Sequence, residues 1–309
     1  MASASNISVI IPLYNKASEI ELTLRSVLIQ SLPPREIIIV DDGSTDRSAE
    51  IVESIGSPLV RLIRQENSGV SAARNRAMRE ATGEWVALLD GDDMWGTDYL
   101  ATVAEMIERW PGCGAYGTAF MIEDGNNCVP ASCCEKMGVV DFFAESMTRY
   151  VLIPSATTLR RDLALELGGF PEGMRMGEDQ FLWTKIARVA DVCFMPKPSV
   201  IYSRAATNRS AVIYRPEHTE FSFEQLYEPE RKDLSNEYIA RVALGKALIE
   251  SSRGGTEAAR RALEFFSYNT MSHRIERKVR ALNALPRFTR RWVLWIYNTL
   301  AWIIARKGL

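Results

Sequence analysis

Asp90-Gly91-Asp92-Asp93 places three carboxylates within four residues. Like charges this close repel one another unless a cation or hydrogen-bond donors compensate them. Mg²⁺ and Mn²⁺ prefer oxygen ligands and are commonly held by one or two carboxylates together with substrate phosphates. The turn therefore reads either as a metal–diphosphate site or as an acidic cap on the helix that begins near Thr97. Gly177-Glu178-Asp179 opens another helix. Its adjacent acids either complement the helix dipole or include a general base held near an incoming hydroxyl. Asp41-Asp42-Gly43-Ser44 is a turn by residue type, or supplies an acceptor for donors on a base or ribose. Gly69 allows close backbone approach at a helix N-terminus, which favours anions. Arg74, one turn further on, reaches a phosphate, pairs with a strand-end carboxylate, or lies on a solvated helix face.

Regular alternation in the first hundred residues positions these groups. Ser8–Leu13 is a short apolar run of buried-strand type, Glu36–Asp41 is a second, β-branched strand, and Leu59–Gln65 and Glu84–Asp90 are a third and a fourth. Between them, Ser18–Leu32, Asp46–Ile55 and Gly69–Ala81 have helical spacing, and Thr97–Trp110 follows. Ser18 and Glu21 fit a capping box, Gly56 closes the second helix, and Pro33–Pro34 stop the first. Strand–helix alternation at this spacing predicts βαβ units and a mostly parallel sheet flanked by helices. Ligands in such sheets sit outside the carboxyl ends of the strands. Tyr14–Asn15, Asp41–Asp42 and Asp90–Asp93 all fall there.

From 111 to about 205 the pattern is irregular, with strands at Ala115–Ile122, Ser155–Leu159 and Asp191–Met195 and a helix after Met176. From about 232 it is helical: Asp233–Ser251, Thr256–Tyr268 and Ser272–Leu285. A catalytic domain over 1–230 and a helical extension over 231–309 are expected.

Six stretches occur in an order and spacing that resembles the family 2 glycosyltransferases with a GT-A fold: SVIIPLYNK, IIIVDDGSTD, ENSGVSAARNRAM, GEWVALLDGDDMW, GGF at Gly168–Phe170, and GEDQFLW. The resemblance covers roughly residues 6–205. It implies an inverting transferase that moves a single sugar from a nucleotide-sugar donor, with UDP the expected nucleotide, by direct displacement. Pro12 and Tyr14 would line the nucleobase pocket, Asp42 would accept from base or ribose, and Arg74 would contact the nucleotide. Asp90 and Asp92 match the DxD carboxylates, with Asp92 and Asp93 nearest a Mg²⁺ or Mn²⁺ ion and the diphosphate. Asp179 matches the base, and Glu178 supports it or serves as the alternate base. The QxxRW motif of processive synthases does not follow Asp179, which points to single-sugar transfer. Lys185 and Arg188 stand where many members carry an Arg, so that role is left open. Tyr202-Ser203-Arg204 and Asn208-Arg209-Ser210 resemble the family's closing segment, and Arg209 would reach the diphosphate. The implied acceptor is a glycan or lipid-linked saccharide of cell-surface polysaccharide synthesis.

The chain has 309 residues, 47% hydrophobic and 25% charged, which excludes disorder and collagen-like repeats. The five cysteines have no CxxC spacing and read as reduced thiols, not a disulfide scaffold. The N-terminus lacks a basic region ahead of its apolar run and reads as a first strand. The net charge of −2 hides an asymmetry: residues 271–309 hold nine basic residues and one acid, a net of +8, against −10 elsewhere. Trp292–Ala305 is a fourteen-residue apolar run with Asn298 and Thr299 as its polar members. As a helix it reaches roughly 21 Å, short of a bilayer core of about 30 Å. Its tryptophans and flanking Arg290, Arg291, Arg306 and Lys307 fit a monotopic helix in an anionic leaflet. Residues 272–307 are thus expected on the inner face of the cell membrane, with the protein cytoplasmic and peripheral. The alternative is packing on the domain or on a second copy in a homo-oligomer. So large an apolar surface argues against a nucleic-acid arm.

Three rival functions are weaker. An aspartyl phosphohydrolase would want Thr or Val where Met94 stands. A dinucleotide oxidoreductase would need GxGxxG after the first strand. A non-catalytic scaffold would not need the full set of carboxylates.

Overall fold

The structure is a computed structural model that describes residues 6–125, 127–204, 219–286, 288–290, 292, 293, 295 and 296. The chain divides into two compact units, Met1–Phe221 and Ser222–Leu309.

In the first unit, β1 (Ile7–Leu13), β2 (Glu36–Asp41), β3 (Val60–Arg64) and β4 (Trp85–Leu88) form the parallel half of a ten-stranded sheet. Ile10, Ile11, Leu13 and Ile37 to Val40 are fully buried, as strands covered on both faces require. The register sets the functional edge. Leu13 lies opposite Asp41 and Ile10 opposite Leu88. The residues that follow β1, β2 and β4 therefore leave the sheet side by side.

The crossover helices are α1 (Ile20–Leu28), α2 (Ser48–Ile55) and α3 (Val70–Glu80). The capping box expected from Ser18 and Glu21 does not form. The Lys16 carbonyl takes the first N–H groups, from Glu19 and Ile20, and the Glu21 carboxylate pairs with Arg25 one turn on. Gly56 closes α2 with φ 64°, as expected. In α3, Ala73, Ala77 and Met78 are buried, and the small residues let the helix lie close to β1 and β2.

The other half is mixed. The strand order is β3-β2-β1-β4-β9-β6-β10-β5, with β9 (Thr157–Arg160), β6 (Ala115–Asp124), β10 (Val192–Ser203) and β5 (Met94–Trp95). β7 (Asn127–Pro130) pairs with β6, and β8 (Gly138–Val140) with β10. β9, β5, β7 and β8 run against the remaining six strands. The strand expected to stop at Met195 continues to Ser203. Pro196 and Pro198 are absorbed where the register with β6 shifts, since proline can stand in a strand at a bulge. α4 (Tyr99–Arg109), the short α5 (Phe142–Ser146) and α6 (Arg161–Glu166), and α7 (Glu178–Val189) complete this unit.

The second unit packs α8 (Ser235–Arg253), α9 (Thr256–Phe265) and α10 (His273–Ala284) around Ile239, Leu244, Leu263, Phe266 and Val279. Arg290, expected to flank a membrane helix, is buried. Its guanidinium donates to the Leu285, Asn283 and Ser251 carbonyls, completing the C-terminal ends of α10 and α8. Phe288, Trp292, Val293, Trp295 and Ile296 are exposed. Arg291 and the rest of the apolar run, from 297 onward, lie outside the described residues. No helix among the described residues is long and apolar enough to cross a membrane.

Gly117 in β6 marks the tightest backbone approach. A Cβ there would overlap the Val151 carbonyl oxygen and lie 2.9 Å from Leu152 Cδ2. Gly117→Ala is expected to destabilise this unit by about 1–3 kcal/mol, read as a lower urea midpoint at an unchanged m value.

Candidate functional site

Two strand-end loops are stitched together at the carboxyl edge. Asn15 takes a left-handed φ of 51°. Its Oδ1 accepts the Thr45 N–H at 2.7 Å and the Asp46 N–H at 3.3 Å, and its own N–H donates to Ser44 Oγ. Pro12, in β1, and Tyr14, just beyond it, are half-buried beside this junction.

Asp42, expected to accept from a base or ribose, is buried and serves its own chain. Its carboxylate accepts from Gln65 Nε2 at 2.7 Å and from the Ser68 and Gly69 N–H groups at 2.8 Å each. These bonds hold the loop that delivers Gly69, at φ 93°, to the start of α3.

From that start, Arg74 points back to the edge. It is 3% exposed. Its Nη2 lies 2.7 Å from Asp90 Oδ1, its Nη1 lies 3.5 Å from Glu178 Oε1, and its guanidinium sits 5.2 Å from the Phe170 ring centroid. Burial opposes the charge, but Asp90 and Glu178 outweigh it and keep the group protonated. Its Nε has no hydrogen-bond partner among the described residues.

The three carboxylates of the 90–93 turn have separate fates. Asp90 is engaged by Arg74. Asp92 Oδ2 receives Lys16 Nζ at 2.7 Å. Burial and the charge of Asp90 raise its pKa, and Lys16 only partly offsets them. Asp93, expected nearest a metal, is instead turned inward. Ser155 Oγ donates to its Oδ2 at 2.5 Å, and the Ser203 N–H donates to its Oδ1 at 2.8 Å. With 1% exposure, and with Asp90 and Asp92 nearby, its pKa is pushed well above the carboxylate range. Each oxygen accepts one hydrogen bond from within the fold, and together they brace β10 against the turn. Trp95 fixes the far side through Nε1–H to the Ser155 carbonyl at 2.7 Å and a stacking contact with Tyr99.

Gly177, at φ 88°, starts α7 and sets Glu178 and Asp179 in its first turn. Burial and the adjacent Glu178 raise the Asp179 carboxyl to about 7. Lys185 turns away from the acid pair and donates to the Leu167 carbonyl.

The structure thus brings Arg74, Asp90, Asp92, Glu178 and Asp179 to one place. Arg209 lies outside the described residues. Three contributors were not singled out by sequence. Lys16 and Asn75 lie inside the quoted motifs. Asn75 Nδ2 donates to the Phe170 carbonyl at 2.8 Å, and its Oδ1 accepts the Phe170 N–H at 2.8 Å. Ser155, the third, lies in a stretch with no local signature. Among the described residues no group of three or more His, Cys, Asp or Glu could hold a metal. Two carboxylates remain, Asp90 and Asp92, each with one oxygen directed to a basic side chain. This suits a cation that takes its other ligands from phosphates and water.

Asn75 predicts its own test. Asn75→Ala leaves a Phe170 N–H and carbonyl unpaired in a buried site. A loss of about 1–3 kcal/mol in unfolding free energy is expected, measured by thermal or urea denaturation.

The profile of the family described as Glycosyl transferase family 2 matches residues 8–168. TuaG of Bacillus subtilis, a glycosyltransferase whose name assigns it to teichuronic acid biosynthesis, is 44% identical over 123 residues, which are 38% of this chain and 49% of TuaG. The glycosyltransferase GlyA of Streptococcus pneumoniae is 30% identical over 222 residues, 68% of this chain and 30% of GlyA. The chain thus aligns with about half or less of the length of these relatives. Among solved structures, S. aureus TarS 1-349 in complex with UDP-GlcNAc superposes with a TM-score of 0.67 at 21% identity, covering 93% of this chain and 92% of that one. The mannosyltransferase PcManGT from Pyrobaculum calidifontis, in complex with GDP-Man and Mn²⁺, has a TM-score of 0.50 at 22% identity, covering 93% and 82%. These likenesses carry the fold, which is the expected GT-A arrangement.

Proposed function

The chain belongs to glycosyl transferase family 2, and from that premise we propose that it transfers a single sugar, with inversion, from a nucleotide-sugar donor to a hydroxyl acceptor. The observation that carries this reading is Arg74, whose one buried guanidinium joins Asp90 to Glu178. Through it the carboxylates suited to a cation and the acid pair suited to a base share one site. The UDP-GlcNAc held by TarS favours UDP as the nucleotide. The name of TuaG favours a cell-surface glycan acceptor.

In this reading Asp179 accepts the proton of the attacking hydroxyl. Its raised pKa suits that task, since a base poised near the working pH both binds and releases the proton. Burial, with the like charge of Glu178, keeps Asp179 at that value, and Glu178 is itself held by Arg74. Asp90 and Asp92 would hold Mg²⁺ or Mn²⁺, which when bound neutralises charge on the diphosphate leaving group. Asp93 keeps the turn in place. Pro12 and Tyr14 would border the nucleobase, with Asp42 setting the loop beneath it. Arg209 would approach the diphosphate. The catalytic domain would span 1–230 and the helical extension 231–309.

Exposed Phe288, Trp292, Trp295 and Ile296 supply the apolar contact of a peripheral, cytoplasmic-face membrane protein. Arg290 contributes to packing and not to lipid. A second copy of the chain is the other surface these residues would suit.

Three outcomes are expected. Asp92→Ala abolishes Mn²⁺-dependent UDP release from UDP-sugars, and full activity in that variant would remove the metal assignment. Asp179 must be unprotonated to act, so kcat/KM for the same release rises with pH up to about 7 and is level above it. Asp179→Asn removes that limb and lowers kcat by about 10²–10⁴-fold. The full-length protein co-sediments with anionic liposomes at low salt, and Trp292→Ala with Trp295→Ala weakens this. Unchanged partition of the double variant would leave these residues to protein contacts.

A further inference from the structure

We propose that Lys16 is a tethered cation that neutralises Asp92 until a divalent metal displaces it, so that its ammonium sets how tightly the metal binds. The inference rests on the metal reading of Asp90 and Asp92 given above.

Each carboxylate of the 90–93 turn has its own compensator, and the three differ in how readily they let go. Asp93 is held by a hydroxyl and a backbone N–H inside the fold. Asp90 is held by Arg74, which is buried and bound at both ends. Asp92 is held by an ammonium on a flexible four-carbon stem, a compact charge that exchanges partners more easily than a planar guanidinium. The Lys16 and Asp92 side chains are 11% and 15% exposed, so their 2.7 Å contact is largely, but not wholly, shielded from solvent.

The main chain fixes where this lysine starts. Its N–H donates to Ser48 Oγ at 2.7 Å, and its carbonyl accepts from Glu19 and Ile20 at 3.0 and 2.9 Å. None of these bonds uses the side chain. The stem passes along Gly91, where a Cβ would meet Lys16 Cγ at 3.6 Å, and delivers Nζ to the far carboxylate. A metal on Asp92 would stand beside the ammonium, and two positive charges there repel. The ammonium must therefore leave as the metal arrives. A donor diphosphate, bringing negative charge to the same edge, offers it a new partner. Metal binding is then weak in the free enzyme and strengthened by the nucleotide.

The test is Mn²⁺ binding to the full chain, followed by the electron paramagnetic resonance of the free ion, without nucleotide. Lys16→Met and Lys16→Gln both remove the charge and keep every backbone contact. Both are expected to bind Mn²⁺ about tenfold tighter than the natural chain, equivalent to about 1.4 kcal/mol. Lys16→Arg retains the charge and is expected not to tighten. The gain should vanish when Asp92→Asn is added to Lys16→Met. A thermal unfolding midpoint that Mn²⁺ raises more in Lys16→Met than in the natural chain gives the same answer through a separate readout. If Asp92→Asn abolishes binding while the two neutral variants bind no tighter than the natural chain, the tethered-cation inference is overturned and the metal reading stands. If Asp92→Asn binds Mn²⁺ as the natural chain does, the metal reading fails and the inference goes with it.

Discussion

Negative charge crowded at the edge of a sheet is the constraint around which this molecule is arranged. A parallel register sends β1, β2 and β4 out of the sheet together, and Tyr14, Asp42 and Asp90 stand at or just beyond their ends. Left alone, Asp90, Asp92, Asp93, Glu178 and Asp179 would repel one another and weaken the edge. Arg74 is the central answer. It approaches from the first turns of α3, loses its own hydration, and divides its guanidinium between two acids that lie 88 residues apart in sequence. The loop before α3 is held by Asp42, and the turn after α6 by Asn75, so the helix is located from both sides before Arg74 is placed.

This arrangement explains how adjacent carboxylates come to differ. Asp93 is surrounded by donors from within the fold and is structural. Asp92 meets the Lys16 ammonium. Asp179 accepts the Gln180 N–H, yet burial beside Glu178 lifts it to about 7. Chemistry that needs both a proton acceptor and a counter-ion for a leaving group draws on that division. The residue type is the same in each case, and the environment decides the role.

The parallel half of the fold was legible because its signals are local. Buried strands, helical spacing and the Gly56 stop depend on residues a few positions apart, and the ends of the elements fall within a few residues of expectation. Harder to read were the features made by distant partners. Nothing around Ser18 and Glu21 shows that the Lys16 carbonyl will take over the cap. Pro196 and Pro198 argue locally for an end to the strand, and only pairing with β6 carries β10 past them. β7 and β8 are short edge strands without periodicity. At the site, the motifs marked which residues gather but not how each carboxylate is used. The inward turn of Asp93 depends on Ser155 and Ser203, 62 and 110 residues away.

Ser155 has a wider significance. It stands at the end of the irregular stretch between α4 and β9. Its hydroxyl holds Asp93 and accepts from the Asp90 N–H, and its carbonyl receives Trp95. Any change in that stretch therefore works under a tether. Loops upstream can be lengthened, shortened or exchanged, but a replacement must return the backbone to the same anchoring point, or the carboxylate turn loses its support.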